Sequence, residues 1–265
     1  MQKILSSALK NVLVGSHLLC LDSVDSTNTQ VKRQAAQGAA EGLVVLSDRQ
    51  TAGRGRAGRT FHSPAGCGLY LSALLRPSLP PEQLANFTAW AAVAVCDGIE
   101  ATCGVRPQIK WTNDLVLNGK KLCGILTELV LNQTTGTPDG LVVGIGINVN
   151  HQTEDFSDDI RSMATSLSLE LGRNVDRAQL AAQIIRALDR IYARFPDDKA
   201  ACLARYRADC LTVGKPVRLI TPVSSREAVA TGIDEDFRLL VTYPDGTRDA
   251  IATGEVSVRG MYGYV

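Results

Sequence analysis

The fold class is decided by the stretch Asp114-Leu115-Val116-Leu117-Asn118-Gly119-Lys120-Lys121-Leu122-Cys123-Gly124-Ile125-Leu126. The dipeptide Asn118-Gly119 is typical of a two-residue β-hairpin turn, because both positions of such a turn take positive φ angles. The apolar runs on either side of it, residues 114–117 and 122–130, therefore pair as antiparallel strands. This pairing predicts an α+β protein with a mixed or antiparallel sheet rather than a doubly wound parallel one.

The segments around this hairpin extend the sheet and add helices. The residue patterns predict further strands at 43–46, 68–75, 108–111 and 140–148, and helices at 29–36, 80–104, 159–171, 177–195 and 200–208. From residue 213 onward the apolar period changes to two, which predicts short strands at 217–220, 228–233, 238–243 and 255–259. We therefore expect two domains, a large one at 1–212 and a small barrel-like one at 213–265.

Composition excludes several classes of protein. The 265 residues carry a formal net charge of only +1, so no global field favours nucleic acid or an anionic membrane. The first ten residues are too poor in apolar side chains for a signal peptide, and no run approaches the length of a membrane span. Seven scattered cysteines without a C-x-x-C pair predict buried thiols in a reducing compartment and no zinc site. We expect a cytoplasmic protein.

The loop Gly53-Arg54-Gly55-Arg56-Ala57-Gly58-Arg59 has the chemistry of an anion site. Glycine lets the backbone approach a ligand, and arginine presents a planar fork that matches phosphate and carboxylate oxygens. The loop also spells G-x-G-x-x-G, but residues 63–68 that follow cannot open the helix that a dinucleotide site requires. A disordered Arg/Gly tail is equally disfavoured, because apolar strands flank the loop.

Three other segments have residue types that are unusual for their place in a strand or at its end. Lys110-Trp111-Thr112-Asn113-Asp114 concentrates a cation, an amide and a carboxylate, Lys121 opens an apolar strand, and Gly144 and Gly146 leave a groove on one face of another. Each has an ordinary alternative: a polar hairpin turn, a snorkelling lysine and a groove filled by a helix. The histidines His17, His62 and His151 lie far apart and are expected to be structural, with His62 the one that abuts the arginine loop.

Taken in order, the motifs resemble those of the biotin protein ligase family. The resemblance rests on Ser26-Thr27-Asn28, residues 50–59, 110–114, 121–126 and 144–148, and on the segment 254–259 near the C-terminus. Two positions depart from the family pattern, since Thr112 stands where proline is usual and Phe61 where tryptophan is frequent. Only about twenty residues precede the first motif, so we expect a form without the N-terminal DNA-binding domain that many bacterial relatives carry.

The resemblance implies a catalytic domain of the class II synthetase type, an SH3-like C-terminal barrel, and a two-step reaction. Biotin and ATP would give biotinyl-5′-adenylate, and a lysine of a biotin carboxyl carrier protein, such as a subunit of acetyl-CoA carboxylase, would accept the biotinyl group. Because this chemistry brings a carboxylate to a polyanion, it needs dense positive charge, which the arginines of the loop, Lys110, Lys121 and Mg²⁺ could supply.

The resemblance also implies roles for individual residues. Arg56, Lys121 and Lys110 would be catalytic, and Asp114 would hold Mg²⁺. Biotin contacts are implied for Ser26, Thr27, Asn28, Gln50, Arg54, Gly55, Arg56, Lys121, Gly124, Gly144 and Gly146. ATP contacts are implied for Arg54, Arg56, Arg59, Phe61, Lys110, Asn113 and Asn148.

Other interpretations stay open at this point. A lipoate ligase shares the expected fold and a lysine like Lys121, although it lacks the arginine loop. A regulator that binds biotinyl-adenylate without transferring it is a second alternative, and a nucleic-acid binder is disfavoured by the near-neutral charge. Edge strands of the sheet would allow a homodimer, and nothing in the strand pattern decides the oligomeric state.

Overall fold

The computed structural model describes residues 1–132, 134–221, 224–252 and 257–260. The helices are α1 Gln2–Ala8, α2 Thr27–Ala36, α3 Pro81–Ala85, α4 Phe87–Cys103, α5 Leu167–Leu171, α6 Arg177–Tyr192 and α7 Lys199–Asp209. The strands are β1 His17–Val24, β2 Leu43–Gln50, β3 Gly68–Leu75, β4 Gln108–Lys110, β5 Asp114–Leu117, β6 Lys120–Leu131, β7 Pro138–Asn148, β8 Pro216–Ile220, β9 Ser225–Ile233, β10 Leu239–Thr242, β11 Arg248–Ile251 and β12 Ser257–Gly260.

A seven-stranded sheet with the order β1-β2-β3-β7-β6-β5-β4 forms the centre of the molecule. Only β1 and β2 are parallel, and the other neighbours are antiparallel. The predicted hairpin joins β5 to β6, with Leu117 opposite Lys120 and positive φ angles of 47° at Asn118 and 78° at Gly119. The prediction of a mixed α+β sheet is therefore confirmed.

Both faces of the central strands are buried. Val44 belongs to the core cluster that includes α4 and α6, whereas its neighbour Val45 belongs to a smaller cluster with α2. Because successive side chains of a strand point to opposite faces, a strand covered on both sides is apolar throughout. In α4, a Cβ on Gly98 would lie 2.8 Å from Cα of Ile184, so this glycine allows α4 and α6 to approach closely.

Several elements differ from the prediction. The pattern gave no signal for α1 and β1, and the predicted helix 80–104 is divided into α3 and α4 at Asn86. The predicted helix 159–171 is wrong over its first part, because the helix α5 begins only at Leu167, after the cap Ser166. The preceding backbone pairs instead with β6: the Lys121 amide donates to Met163 O at 2.7 Å, and the Thr165 amide donates to Lys121 O at 2.9 Å.

The C-terminal strands form a second, antiparallel sheet with the order β11-β10-β9-β8-β12. Residues 255 and 256 of the last predicted strand lie outside the described residues, which resume at β12. This sheet is attached to the first unit through Trp111, whose Nε1 donates to Phe237 O at 2.9 Å. Among the strands described, β11 and β12 are the two edges, so the expected barrel closure is not observed.

Two predictions made from composition, on the cysteines and on membrane spans, can be compared with the described part of the chain. The seven cysteines are all free thiols there, four of them buried, as expected for small hydrophobic residues. None of the helices in the described ranges combines the length and apolar composition that crossing a bilayer requires.

Candidate active site

A cavity of about 680 Å³ opens on the sheet where α2, the arginine loop, β5, β6 and β7 meet. Its lining residues are Ser26, Thr27, Asn28, Gln50, Arg54, Gly55, Arg56, Ala57, Gly58, Arg59, Thr60, Phe61, Lys110, Trp111, Asn113, Asp114, Lys121, Gly124, Ile125, Leu126, Glu128, Gly144, Ile145, Gly146, Ile220, Thr221 and Val258. Segments far apart in sequence thus contribute to one concave site.

The structure brings together all of the predicted site residues except Asn148. That side chain is buried outside the cavity lining, where its Nδ2 donates to Thr165 O at 3.0 Å and fixes the segment before α5. His62 is exposed and does not line the cavity. Sequence reasoning missed Glu128 and the three residues Ile220, Thr221 and Val258 of the C-terminal sheet.

One end of the cavity is a polar corner at the start of α2. The Thr27 amide donates to Gln50 Oε1 at 2.9 Å, and Gln50 Nε2 donates to Ser63 Oγ at 2.9 Å. Because both ends of the Gln50 amide are engaged, its orientation is fixed. Ser26 and Thr27 are buried beside it, with 3% and 4% of their surface exposed. The corner therefore presents preorganised polar groups to a neutral, hydrogen-bonding ligand.

Asn28 is held by protein groups on both sides of its amide. Ser72 Oγ lies 2.6 Å from Asn28 Oδ1, while Asn28 Nδ2 donates to Leu126 O at 3.2 Å and to Glu128 Oε2 at 2.8 Å. A Cβ on Gly144 would lie only 2.0 Å from Asn28 Oδ1. Gly144 therefore provides the space that Asn28 occupies, and this amide reaches a ligand only by giving up one of these contacts.

Glu128 anchors a small cluster of charges next to Asn28. Its Oε1 lies 2.7 Å from Lys32 Nζ and 3.3 Å from Arg54 Nη1. Burial alone raises the pKa of Glu128, but the hydrogen bonds from Lys32 and Asn28 and the charges of Lys32 and Arg54 outweigh it and leave the pKa below its usual value. The carboxylate is thus ionised. No sequence signal marked it, because Glu128 fits the alternation of a half-exposed strand.

The arginine loop folds back on itself over the cavity. The Gly55 amide donates to Arg59 O at 2.7 Å, and Ala57 and Gly58 have positive φ angles of 53° and 73°. Inside this turn, Arg56 Nη1 donates to Thr112 Oγ1 at 3.1 Å and to Asn113 Oδ1 at 3.0 Å. The pKa of Arg56 is lowered, because the effect of burial exceeds the opposing effect of the Asp114 charge. The guanidinium stays protonated all the same.

Positive charge dominates the cavity. Among the described residues, five cationic side chains and two carboxylates line it, although the whole chain has a net charge of only +1. Lys121 Nζ lies 2.7 Å from Asp114 Oδ1, and the largely buried Lys110 stands opposite Asp114 in the β4–β5 ladder. Such a concentration of fixed cations in a partly water-excluded site favours a polyanionic ligand.

The apolar wall opposite the cations is built on glycines. A Cβ would lie 2.7 Å from the Phe61 ring at Gly146 and 3.4 Å from it at Gly124. The Phe61 ring therefore lies directly on the groove that the glycines leave, with its edge toward Tyr70 at a centroid distance of 6.4 Å. A ligand or a helix was expected in this groove, but the structure places there the ring of Phe61, two residues after the arginine loop.

The donors for a metal ion are few. Within the described ranges, no three His, Cys, Asp or Glu side chains are grouped so that they could hold a metal. Asp114 is a hard oxygen ligand at the cavity, but Lys121 already neutralises it. Mg²⁺ is commonly held by one or two carboxylates together with substrate phosphates. Asp114 therefore fits an ion that arrives with a nucleotide rather than a preformed protein site.

Two family profiles and several known proteins match this chain. The profile of the Biotin/lipoate A/B protein ligase family matches residues 20–148, and that of the Biotin protein ligase C terminal domain matches residues 212–259. The bifunctional ligase/repressor BirA of Bacillus spizizenii is 37% identical over 91% of this chain and 74% of its own length. The biotin--[acetyl-CoA-carboxylase] ligase of Mycobacterium tuberculosis is 32% identical over 94% of this chain and 93% of its own.

A solved structure resembles the fold over nearly the same extent. It is that of the biotin protein ligase from Aquifex aeolicus in complex with biotin and ATP, which is 29% identical to this chain and superposes with a TM-score of 0.80. The similarity covers 92% of this chain and 99% of that one. Both the sheet that forms the cavity and the C-terminal strands therefore have counterparts among these relatives.

Proposed function

The chain belongs to the biotin/lipoate A/B protein ligase family, and from this membership we propose that it is an ATP-dependent biotin protein ligase. In the first step the biotin carboxylate attacks the α-phosphate of ATP, and pyrophosphate leaves. In the second step a lysine amine of the acceptor attacks the acyl carbon of biotinyl-5′-adenylate, and AMP leaves. The amide bond that forms carries the biotinyl group.

The observation that carries this proposal is the division of the cavity into a neutral polar corner, an apolar wall and a cationic region. Biotin has the same three parts: a ureido ring that needs hydrogen bonds, an aliphatic chain and a carboxylate. Ser26, Thr27 and Gln50 match the ring, and the wall around Gly124 and Gly146 matches the chain. The carboxylate would then lie among the cations, where ATP phosphates also bind.

The cations have distinct roles in the proposed first step. Lys121 contacts Asp114 and Arg56 contacts the neighbouring Asn113, and both cations line the cavity, so both can face a carboxylate and the phosphate that it attacks. Lys110 and Arg59 add charge for the remaining phosphates. Electrostatic stabilisation by fixed donors needs no reorganisation when charge develops in the transition state. Arg54 pairs with Glu128, which also contacts Asn28, so we assign it to the loop and to the ring end of biotin.

Mg²⁺ remains part of the proposal rather than an observation. When bound with ATP, it would neutralise phosphate charge and polarise the phosphoryl oxygens. Asp114 and the phosphates would hold it, and Lys121 would then be released from its ion pair with Asp114.

The name of the Mycobacterium tuberculosis relative supports a carboxyl carrier protein, such as that of acetyl-CoA carboxylase, as the proposed acceptor. The seven free cysteines support the cytoplasm as the proposed location. We also propose an SH3-like arrangement of the C-terminal strands, a domain boundary between residues 212 and 213, and a homodimer that forms through edge strands. The C-terminal part of the chain contributes to the proposed active site, since Ile220, Thr221 and Val258 line the cavity.

The test is incubation of the full chain with ATP, Mg²⁺, biotin and a biotin carboxyl carrier domain, followed by mass measurement of the carrier. We expect a mass increase of one biotinyl group that depends on ATP. A parallel reaction offers lipoate and a lipoyl-carrier domain instead. Labelling only with lipoate would establish the lipoate-ligase alternative, and adenylate formation without transfer to any carrier would establish the regulator. The profile match to a biotin protein ligase C-terminal domain disfavours the first alternative.

A further inference from the structure

Within the described part of the chain, the Arg56 side chain is hydrogen-bonded to other residues through one nitrogen, Nη1. Both of its protein acceptors, Thr112 Oγ1 at 3.1 Å and Asn113 Oδ1 at 3.0 Å, take hydrogen bonds from Nη1. Nη1 carries two hydrogens, so the two acceptors use it fully. The described residues supply no acceptor for Nε–H or for Nη2, and these donors form the edge of the guanidinium that binds an anion in bidentate fashion. The anchoring therefore leaves one complete recognition edge for a ligand.

The two acceptors belong to a rigid part of the molecule. Thr112 is only 2% exposed, and its carbonyl accepts a hydrogen bond from the fully buried Tyr206 Oη at 3.2 Å. Asn113 is fixed to β6, since its Nδ2 donates to Ile125 O at 2.9 Å and its carbonyl accepts from the Ile125 amide at 2.9 Å. A guanidinium bonded to both side chains is therefore held against the sheet and not merely to another loop.

The side-chain attachment of the arginine loop through Arg54 is weaker. Arg54 Nη1 lies 3.3 Å from Glu128 Oε1, and 49% of the Arg54 side chain is exposed. Ion pairs with a half-exposed member are screened by water and salt and contribute little. Glu128 is also shared with Lys32. The partly buried contact of Arg56 is thus the stronger of these two side-chain attachments.

We propose that Thr112 is a positioning residue that, together with Asn113, holds the Arg56 guanidinium over the cavity before any ligand binds. The inference rests on the proposed function, because the anion that Arg56 would receive is the phosphate of the adenylate. Asn113 Oδ1 alone satisfies one Nη1 hydrogen and leaves the guanidinium free to turn about that bond. The Thr112 hydroxyl supplies the second point and so fixes the direction of the Nε and Nη2 edge.

Fixing this edge in the free protein has a measurable consequence. The entropy of ordering the arginine is lost on folding rather than on binding, so the adenylate is retained more tightly. Thr112 does not contact the polar corner that is proposed for the biotin ring. Removal of its hydroxyl should therefore speed the escape of biotinyl-adenylate while the KM for biotin changes little.

The experiment compares Thr112→Val, which keeps the shape but removes the acceptor, with Thr112→Ser, which keeps the acceptor. Thr88→Val is the matched control, because Thr88 is equally buried, at 3% exposure, and bonds Thr127 outside the cavity lining. The first measurement is the rate at which preformed biotinyl-adenylate is lost from the protein in a chase. We expect about a tenfold faster loss in Thr112→Val, as for one hydrogen bond to a charged group, and a rate within twofold of wild type in the other two.

The second measurement is trypsin cleavage of the substrate-free protein after Arg56, which needs the loop to leave the sheet. It should be faster in Thr112→Val and unchanged in Thr112→Ser and Thr88→Val. Equal cleavage and equal adenylate loss in wild type and Thr112→Val would overturn the proposal, as would a Ser variant that behaves like the Val variant. If thermal melting shows that Thr112→Val does not fold, Thr112→Ala replaces it.

Failure of the proposed function has a different signature. Wild-type protein that forms no biotinyl-adenylate would refute that function, while the trypsin arm would still report whether Thr112 holds the loop.

Discussion

Substitution of Lys121 by alanine tests the electrostatic basis of the first step. Lys121 Nζ lies at the cavity, 2.7 Å from Asp114 Oδ1, and its backbone is fixed on both sides by Met163 and Thr165. Removal of one preorganised donor to developing charge costs about 3 kcal/mol in the barrier. The substitution also leaves the Asp114 carboxylate without this counterion, close to incoming anions. We therefore expect adenylate formation to slow by at least about a hundredfold.

The assay is pyrophosphate release with saturating biotin and ATP, which follows the first step without an acceptor protein. Lys120→Ala is the matched control, because Lys120 is the exposed neighbour on the same strand and does not line the cavity. This control should retain the wild-type rate. Asp114→Asn and the double variant complete a cycle that separates loss of the lysine charge from exposure of the carboxylate.

A rate for Lys121→Ala within tenfold of wild type would refute the reasoning. An equal loss in Lys120→Ala would also refute it, because the effect would then be one of general charge rather than of a positioned donor. If Asp114→Asn restores the rate of Lys121→Ala, the bare carboxylate caused the loss, and Lys121 serves to neutralise it.

Three further changes have defined outcomes. Arg56→Gly should still form some adenylate but release it, so that albumin in the same tube is biotinylated far more than with wild type; labelling confined to the carrier domain would contradict this. Gly144→Ala places a Cβ 2.0 Å from Asn28 Oδ1 and should lower the free energy of unfolding, measured in urea, by about 1–3 kcal/mol. Gly232→Ala is the control, because its Cβ would have its nearest neighbour at 3.5 Å, and it should leave this free energy unchanged. Burial lowers the pKa of His151 to about 4, so the contribution of this histidine to the free energy of unfolding should be complete above pH 6.5 and fall by up to about 3 kcal/mol between pH 6.5 and 4. The measurement is a series of urea melts across this pH range. If His151→Asn keeps the full decline, this histidine is not its cause.

The parts of the fold that were predictable have local causes. The β5–β6 hairpin follows from Asn118-Gly119, which take positive φ angles wherever they occur in such a turn. Strand β3 matches its predicted bounds because its eight residues, Gly68 to Leu75, are apolar apart from Ser72 and all are buried. Helix α6 begins where its cap Asp176 accepts hydrogen bonds from the Ala178 and Gln179 amides. In each case the determining contacts lie within a few residues.

The errors occur where distant segments compete for the backbone. Residues before Leu167 were predicted as helix, but Met163 and Thr165 satisfy their backbone groups on Lys121, more than forty positions away in the sequence. Strand β1 carries partly exposed residues at the sheet edge, so it lacks the alternation that would mark it. Neither the irregular backbone before Leu167 nor strand β1 can be predicted from a few neighbouring residues.

The site was predicted as far as its motifs carry unusual chemistry. The arginine loop and the Lys110–Asp114 turn combine residue types that ordinary turns do not need, and they were brought to one cavity. Glu128 was missed because a single carboxylate on a strand has no distinguishing pattern. Ile220, Thr221 and Val258 were missed for a different reason, since their place at the cavity depends on how the second sheet packs against the first.

The position of Phe61 connects the apolar and the charged halves of the cavity. The ring lies on Gly146 and Gly124, and the Phe61 amide donates to Gly53 O at 2.9 Å, which closes the base of the arginine loop. Arg56 is five positions away in the same closed loop, so a movement of the ring off the glycines displaces the segment that carries the guanidinium. In the proposed complex, an acyl chain that enters along the glycine wall would be accommodated by the same loop that would receive the phosphate. Because Phe61 and Arg56 belong to one closed segment, the proposed function implies that binding of the chain and closure over the anion are coupled.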